Sequence, residues 1–259
     1  MPFARVKSAA LLIGLGLFTL ACSGTEPASG QSLRLLFIGN SYTYFNELPA
    51  LVKALGDSAG LHLEVESVTF GGVSLEDHWQ EGTARARLAA SRWDIVVLQQ
   101  GPSSRPESRV LLLDYATRFN EEIRQAGGQP AFYSVWPAQS RPQDYDGARD
   151  SYALAADSLD GMLFPASEAW RAAWRRDGSL ALYGPDGLHP TRLGSYLVGL
   201  VMVGELTGRS PVGLPARVEV GGAAGYTLDV PTGTARRLQD AAAEAITVFG
   251  RSFSADLKD

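Results

Sequence analysis

The chain has 259 residues, and its 23 Lys and Arg against 28 Asp and Glu give a formal net charge of −5. A chain with this net negative charge lacks the excess of basic residues that binds nucleic acid, so we expect no nucleic-acid partner. Hydrophobic residues make up 45% of the chain, an ordinary share for a globular protein.

The first 22 residues are predicted to be an export signal and not part of the fold. Two basic residues precede an apolar stretch at 9–20, which is too short for a comfortable membrane span. The stretch runs into Cys22, the only cysteine, and this end resembles a bacterial lipobox in which the cysteine is lipidated. Thr19 stands where such motifs prefer Leu, so an ordinary secretory signal cut near Ala21 is the alternative.

Both alternatives export the protein. It is expected on the bacterial cell envelope, held to the membrane only through a lipidated N-terminus, or else secreted or periplasmic. Residues 23–32 are rich in Ser, Gly, Thr and Pro and predict a flexible tether. Residues 33–259 suit one domain, whose core has no internal disulfide because only one cysteine is present.

That domain alternates strand and helix patterns along the chain. Short apolar or alternating runs predict strands at 33–38, 62–70, 94–98, 131–136 and 161–165. Amphipathic or apolar helical spacing predicts helices at 48–59, 83–91, 110–125, 149–157, 167–176, 191–206 and 232–249. Residues 211–230 have no clear pattern, and a short hairpin is one interpretation. The alternation predicts an α/β fold, a three-layer α/β/α arrangement with a mostly parallel five-stranded sheet.

Polar or unusual residues follow four consecutive predicted strands, at 39–41, 71–74, 99–101 and 136–137. The carboxyl ends of parallel strands meet at one edge of such a sheet, and ligands bind beyond that edge. The sequence therefore places a functional site there.

Two of the polar motifs supply the parts of a catalytic triad. Ser41 follows the first strand, and Asp186 lies three residues before His189. A serine hydroxyl needs a base to take its proton, and the base needs an acid to hold its tautomer. Taken singly, each motif is ordinary turn or helix-start chemistry. His78, next to Asp77, is the competing candidate for the base.

The same motifs resemble those of the SGNH (GDSL-type) hydrolases. The front motif of that superfamily is usually Gly-Asp-Ser, and here it is Gly-Asn-Ser at 39–41, typical of a variant branch. The rear motif, Asp-Gly-Leu-His-Pro at 186–190, matches the terminal block closely. The resemblance covers 33 to about 206 and implies the flavodoxin-like SGNH fold.

By this resemblance, Ser41 is the nucleophile, His189 the base and Asp186 its orienting acid. The backbone N–H groups of Ser41 and Gly72 are then expected to form the oxyanion hole. Gly72 matches the glycine of the second block, where a side chain would hinder a bound oxygen.

The third block departs from the superfamily pattern. It normally holds Gly-x-Asn-Asp, with the Asn amide donating to the oxyanion, whereas this chain has Gln-Gln-Gly-Pro-Ser at 99–103. Gln99 is the predicted replacement donor, because its amide carries the same N–H group on a longer arm. Gln100 and Ser103 are the alternatives. Loss of one oxyanion donor typically costs about 10²–10³ in turnover.

The predicted function is therefore hydrolysis of carboxylic esters through a Ser-His-Asp triad and an acyl-enzyme. Family analogy favours short acyl groups, such as O-acetyl, on carbohydrate or cell-envelope material, with long-chain lipid esters second. Asn40, His78 and Trp136 are the predicted substrate contacts. No metal or other cofactor is expected, because no histidine–carboxylate group has convincing zinc spacing.

Two other functions stay open. One is a carbohydrate-binding protein that has lost turnover, and the other is an acyltransferase that uses a sugar hydroxyl in place of water. The absence of a G-x-S-x-G elbow argues against the α/β-hydrolase fold.

Overall fold

The computed structural model of the chain describes residue 1 and residues 32–251. The predicted export signal, nearly all of the tether and Cys22 lie outside the described residues. No helix within 32–251 combines the length and the apolar character that a bilayer crossing requires.

A parallel sheet of five strands forms the centre of the domain. Its strands are β1 (Leu33–Gly39), β2 (Leu63–Thr69), β3 (Ile95–Leu98), β4 (Gln129–Tyr133) and β5 (Met162–Phe164). They lie in the order β2-β1-β3-β4-β5, and every neighbouring pair is parallel. The predicted fold is thus confirmed. The order of strands along the chain reverses at β1 and β3, where open sheets of this kind bind ligands.

Helices flank the sheet and bury both of its faces. They are α1 (Ser41–Tyr44), α2 (Leu48–Ser58), α3 (Leu75–Glu81), α4 (Thr83–Ala90), α5 (Pro106–Gln125), α6 (Tyr145–Ser158), α7 (Ala166–Arg176), α8 (Arg192–Thr207) and α9 (Thr232–Phe249). Helices α2, α7, α8 and α9 form one packed group, and α3, α4, α5 and α6 form another. Four consecutive residues of β1, from Leu35 to Ile38, are fully buried, as expected for a parallel strand covered on both sides.

Several elements differ from their predictions: α1 was not predicted, and α6 begins at Tyr145, four residues before its predicted start. Helix α3 was not predicted, although Ser74 and Asp77 form a capping box in which each side chain bonds the other residue's backbone N–H. Helix α5 begins at Pro106, four residues before the predicted start, because a proline suits the first turn of a helix. Strand β4 ends at Tyr133 instead of 136, since its neighbour β5 ends at Phe164.

The segment at 211–230 contains an antiparallel hairpin of β6 (Arg217–Val220) and β7 (Tyr226–Asp229). Of the interpretations that the sequence left open for this segment, the structure has the hairpin. Strand β6 packs against α2, so the hairpin lies beside the helix that follows the Ser41 motif.

Candidate active site

Ser41 is the first residue of α1, directly beyond the end of β1. Asn40 caps this helix, because its Oδ1 accepts a hydrogen bond of 3.1 Å from the Tyr42 N–H. The preceding Gly39 has no room for a side chain, since a β-carbon there would lie 2.5 Å from both Gln99 Oε1 and Thr43 Oγ1. The turn from strand to helix therefore presents Ser41 at the edge of the sheet, where the side chain is half-buried.

Asp186 and His189 form a hydrogen-bonded pair, with 2.5 Å between Asp186 Oδ2 and His189 Nδ1. The other carboxylate oxygen accepts hydrogen bonds of 3.0 Å from the backbone N–H groups of Leu188 and His189. The hydrogen bond from His189, followed by that from Leu188, lowers the pKa of Asp186 to about 2. The carboxylate is therefore ionised at neutral pH and holds the imidazole with its Nδ1 as the donor.

The His189 ring lies against the segment that follows Ser41. It stacks on Phe45 with 3.9 Å between ring centroids and an angle of 6° between the rings. Its Nε2 is buried and has no hydrogen-bond partner among the described residues, so Ser41 and His189 are not bonded to each other in this conformation. Because Nδ1 donates to Asp186, Nε2 carries the lone pair that a general base requires.

Gly72 has a positive φ of 73° and is exposed in the loop after β2. A β-carbon at this position would meet nothing within 4 Å. The positive φ by itself favours glycine at this position, and the space beside it is open. The loop is tied to the Ser41 motif, since Asn40 Nδ2 donates to the Val73 carbonyl at 2.9 Å.

The backbone N–H groups of Ser41 and Gly72 accordingly belong to two loops that are bonded to each other. Neither N–H donates to any other group in the described part of the chain. Two free donors at the edge of a parallel sheet are what an oxyanion hole needs.

The structure gives Gln99 a different role from the predicted one. Its side chain is fully buried, and Oε1 accepts hydrogen bonds from the Asn40 N–H at 2.9 Å and from Thr43 Oγ1 at 2.7 Å. Its Nε2 donates to Asn40 Oδ1 at 2.9 Å and to the Gln100 carbonyl at 2.5 Å. Both amide hydrogens are used in these hydrogen bonds. Gln99 therefore holds Asn40, the residue before Ser41, and has no N–H left to donate to an oxyanion.

Gln100 and Ser103, the alternative candidates for the oxyanion donor, also make internal hydrogen bonds. Gln100 is buried, accepts a hydrogen bond from the Leu75 N–H and donates to Ser103 Oγ at 2.8 Å. Ser103 is likewise buried and donates to the Gly101 carbonyl. The loop after β3 thus stabilises the site without presenting any of these three side chains to solvent.

The three side chains predicted to contact substrate are also internal. Asn40 is buried, and its side chain makes the hydrogen bonds described above. His78 is 1% exposed, and its Nε2 lies 2.8 Å from the carbonyl of Gly39, which makes Nε2 the donor. Burial lowers the pKa of His78 and favours the neutral ring. The hydrogen bond to Gly39 makes His78 a support for the segment that leads into Ser41.

Trp136 is fully buried and stacks on Trp170 with 3.5 Å between ring centroids. Its Nε1 donates to the Leu188 carbonyl at 3.0 Å, so it holds the loop that carries His189. The prediction that Trp136 contacts substrate is therefore wrong, because its side chain is not exposed. A large aromatic at a strand end is as well suited to the core as to a pocket, and here the core contact prevails.

The sequence did not single out three residues that contact the candidate site, namely Thr43, Phe45 and Asn46. Thr43 bonds Gln99, Phe45 stacks on His189, and Asn46 Nδ2 donates to the Pro190 carbonyl at 2.9 Å. The signal available in the sequence is only their position directly after Ser41.

Two surface cavities lie away from these residues. One of about 590 Å³ lies between α4 and α5, and one of about 230 Å³ lies around the end of α8. Neither is lined by Ser41 or His189. Within the described ranges, no three His, Cys, Asp or Glu side chains are grouped as metal ligands would be.

Comparison with known proteins adds the following. No family model matches the sequence, and no curated protein matches it. Among solved structures, the chain is similar to a candidate SGNH hydrolase from Slackia heliotrinireducens, with 27% identity, a TM-score of 0.58, and coverage of 67% of this chain and 98% of that one.

A DUF4886 family protein from Bacteroides uniformis is similar over 87% of this chain and 98% of its own, with 19% identity and a TM-score of 0.69. An acetyl xylan esterase is similar over 66% of this chain and 98% of its own, with 12% identity and a TM-score of 0.54. At these lower identities the likeness concerns the fold.

Proposed function

The chain belongs to the SGNH hydrolase superfamily, and from this premise we propose that it is a serine esterase whose triad is Ser41, His189 and Asp186. The observation that carries the proposal is the Asp186–His189 hydrogen bond, together with an unpartnered Nε2 on a ring that stacks beside the Ser41 helix. This arrangement supports an oriented base on a ring that contacts the segment after Ser41, the residue that begins the helix at the switch point of the sheet.

In the proposed reaction, His189 Nε2 takes the proton from Ser41 Oγ as this oxygen attacks the ester carbonyl. Asp186 stabilises the imidazolium that forms. The free N–H groups of Ser41 and Gly72 donate to the oxyanion of the tetrahedral intermediate. His189 then protonates the leaving alcohol, and water, activated by the same imidazole, releases the acid from the acyl-enzyme.

Short acyl esters on carbohydrate or cell-envelope material are the proposed substrates. The Asp186–His189 pair lies close to the surface, since the Asp186 side chain is 50% exposed and that of His189 is 18% exposed. A shallow site suits an acyl group presented on a large molecule. Tyr44 and Phe70 are exposed near the Ser41 and Gly72 loops and offer an apolar rim. The acetyl xylan esterase among the similar folds agrees with this choice by analogy.

Export and lipid anchoring through Cys22 are part of the same proposal, because an envelope location would bring the enzyme to such substrates. Globomycin-sensitive processing and membrane fractionation of the full chain would test it. Cys22→Ala is expected to move the protein from the membrane to the soluble fraction, and an unchanged distribution would contradict lipidation.

The central test is labelling with a fluorophosphonate probe, followed by mapping of the modified residue. We expect the label on Ser41, and we expect wild type, but not Ser41→Ala, to hydrolyse p-nitrophenyl acetate. Ser179→Ala is the matched control, since Ser179 is an exposed serine in a separate turn. Attachment of the probe elsewhere would refute the nucleophile assignment.

The lack of a free third-block donor is the observation that favours the binding protein as a second candidate. Equal inertness of wild type and Ser41→Ala, with retained glycan binding, would support it. An acyltransferase would instead form acylated product on an added sugar acceptor faster than it releases free acid.

A further inference from the structure

Two consecutive residues after the nucleophile helix have left-handed backbone conformations. Asn46 has φ of 53° and Glu47 has φ of 52°, and neither is a glycine. They directly follow Phe45, the residue whose ring stacks on His189. Such conformations are rare for residues with a side chain, and they persist only where the surrounding structure holds them.

The β6–β7 hairpin provides that support from one side. The Ala224 N–H at its tip donates to Glu47 Oε1 at 3.1 Å, and Tyr226 Oη donates to the Asn46 carbonyl at 2.8 Å. Gly222 makes room for the Glu47 carboxylate, because a β-carbon at Gly222 would collide with it. Hydrogen bonds from two positions of the hairpin therefore hold both left-handed residues.

The loop that carries the base provides the support on the other side. Asn46 Nδ2 donates to the Pro190 carbonyl and to Ser195 Oγ, each at 2.9 Å. Pro190 follows His189 in the chain, and Phe45 covers the face of the imidazole. The segment at 45–47 is thus hydrogen-bonded to the hairpin on one side and to residues just after the base on the other, and its Phe45 ring stacks on the imidazole.

We propose that the β6–β7 hairpin positions the His189 imidazole by holding residues 45–47, and that Glu47 and Tyr226 are positioning residues for hydrolysis. The proposal rests on the proposed function, in which His189 is the base. Glu47 and Tyr226 make no hydrogen bond to Ser41 or His189 in the described part of the chain, so they act through Phe45 and Asn46.

The test compares Tyr226→Phe and Glu47→Ala with wild type in the full chain, using p-nitrophenyl acetate. Tyr226→Phe removes the hydroxyl but keeps the ring under Arg192, whose guanidinium lies 4.0 Å from the ring centroid. We expect kcat to fall by about 10- to 100-fold, because a displacement of the base on the order of 1 Å has effects of this size. We expect KM to change little, since neither side chain is placed to contact so small a substrate.

Two further variants separate positioning from general weakening of the hairpin. Glu47→Gln keeps an oxygen that can accept from the Ala224 N–H, and it should restore most of kcat. Glu219→Ala is the matched control, because Glu219 is exposed on the same hairpin and bonds only its neighbours Thr227 and Arg217. Glu219→Ala removes contacts from the same hairpin without touching residues 45–47, so it should leave kcat and the state of the imidazole unchanged.

The downfield proton resonance of His189 Nδ1–H reports the base directly and does not depend on turnover. We expect it to broaden or shift in Tyr226→Phe and Glu47→Ala but not in Glu219→Ala. Unchanged kcat and resonance in the first two variants, with active wild type, would overturn the positioning role and leave the proposed esterase intact. Inert wild type that the fluorophosphonate fails to label would instead refute the proposed function, and the resonance would still show whether the hairpin holds the imidazole.

Discussion

Replacement of Gln99 by methionine tests whether this side chain supports the nucleophile or acts on the substrate. Methionine has a similar shape but cannot accept the hydrogen bonds that the amide oxygen receives from the Asn40 N–H and from Thr43 Oγ1. Both donors are buried, with Asn40 5% and Thr43 1% exposed. Each buried donor left without a partner costs about 1–3 kcal/mol, so Gln99→Met should lower the free energy of unfolding by about 2–6 kcal/mol.

Urea unfolding measures this loss, and p-nitrophenyl acetate hydrolysis measures the effect on the site. We expect kcat to fall together with stability, because the unpartnered Asn40 N–H adjoins Ser41. Gln125→Met is the control for the exchange itself, since Gln125 is exposed on α5. The reasoning would be refuted if Gln99→Met kept its stability within about 1 kcal/mol of wild type while kcat fell by about 10²–10³, the signature of a lost oxyanion donor.

The other predictions concern the acid, the second oxyanion donor and a buried carboxyl. Asp186→Asn should lower kcat by about 10³–10⁴, because the amide would favour the wrong tautomer of the His189 imidazole. Asp177→Asn is the control, since Asp177 also accepts from a backbone N–H two residues on, and it should not lower kcat. Equal activities of the two variants would argue against the triad. Gly72→Ala should lower kcat more than Gly127→Ala, although both glycines have positive φ and open space, because only Gly72 is placed to donate to the oxyanion; equal losses would remove it from the site. Burial raises the pKa of Glu205 from 4.5 to about 8, so the unfolded chain releases this proton first and stability falls as pH rises between those values. Urea unfolding should therefore show Glu205→Gln more stable than wild type by as much as about 5 kcal/mol at pH 8 and equal to it near pH 4, and a difference independent of pH would contradict the burial effect.

Much of this protein follows from local sequence patterns. The order of strands and helices is read from apolar runs and from Gly and Pro breaks, and the parallel sheet follows from their alternation. The hydrogen bond between Asp186 and His189 is also local. The chain turns at Gly187, which has a positive φ, and this turn brings the two side chains together. Export, lipidation of Cys22 and the Gly-Asn-Ser branch stay predictions.

The polar residues at the strand ends were harder to interpret. Gln99, His78 and Trp136 all stand where a ligand could bind, yet each bonds a backbone group of the loops that carry Ser41 or His189. Their burial depends on segments far apart in the chain, and a single strand end contains no information about what covers it. Residue type and position alone therefore could not separate a substrate contact from a support.

The sequence by itself determined the fold and the pairing of Asp186 with His189, because propensity, periodicity and turn geometry act over a few residues. Only the tertiary structure decided which polar side chains are buried and hold the loops that carry Ser41 and His189. Phe45 meets His189 across a large separation in sequence, and the hairpin tip meets Glu47 across a larger one. Such contacts form only when the packed elements bring distant side chains within hydrogen-bonding or van der Waals distance.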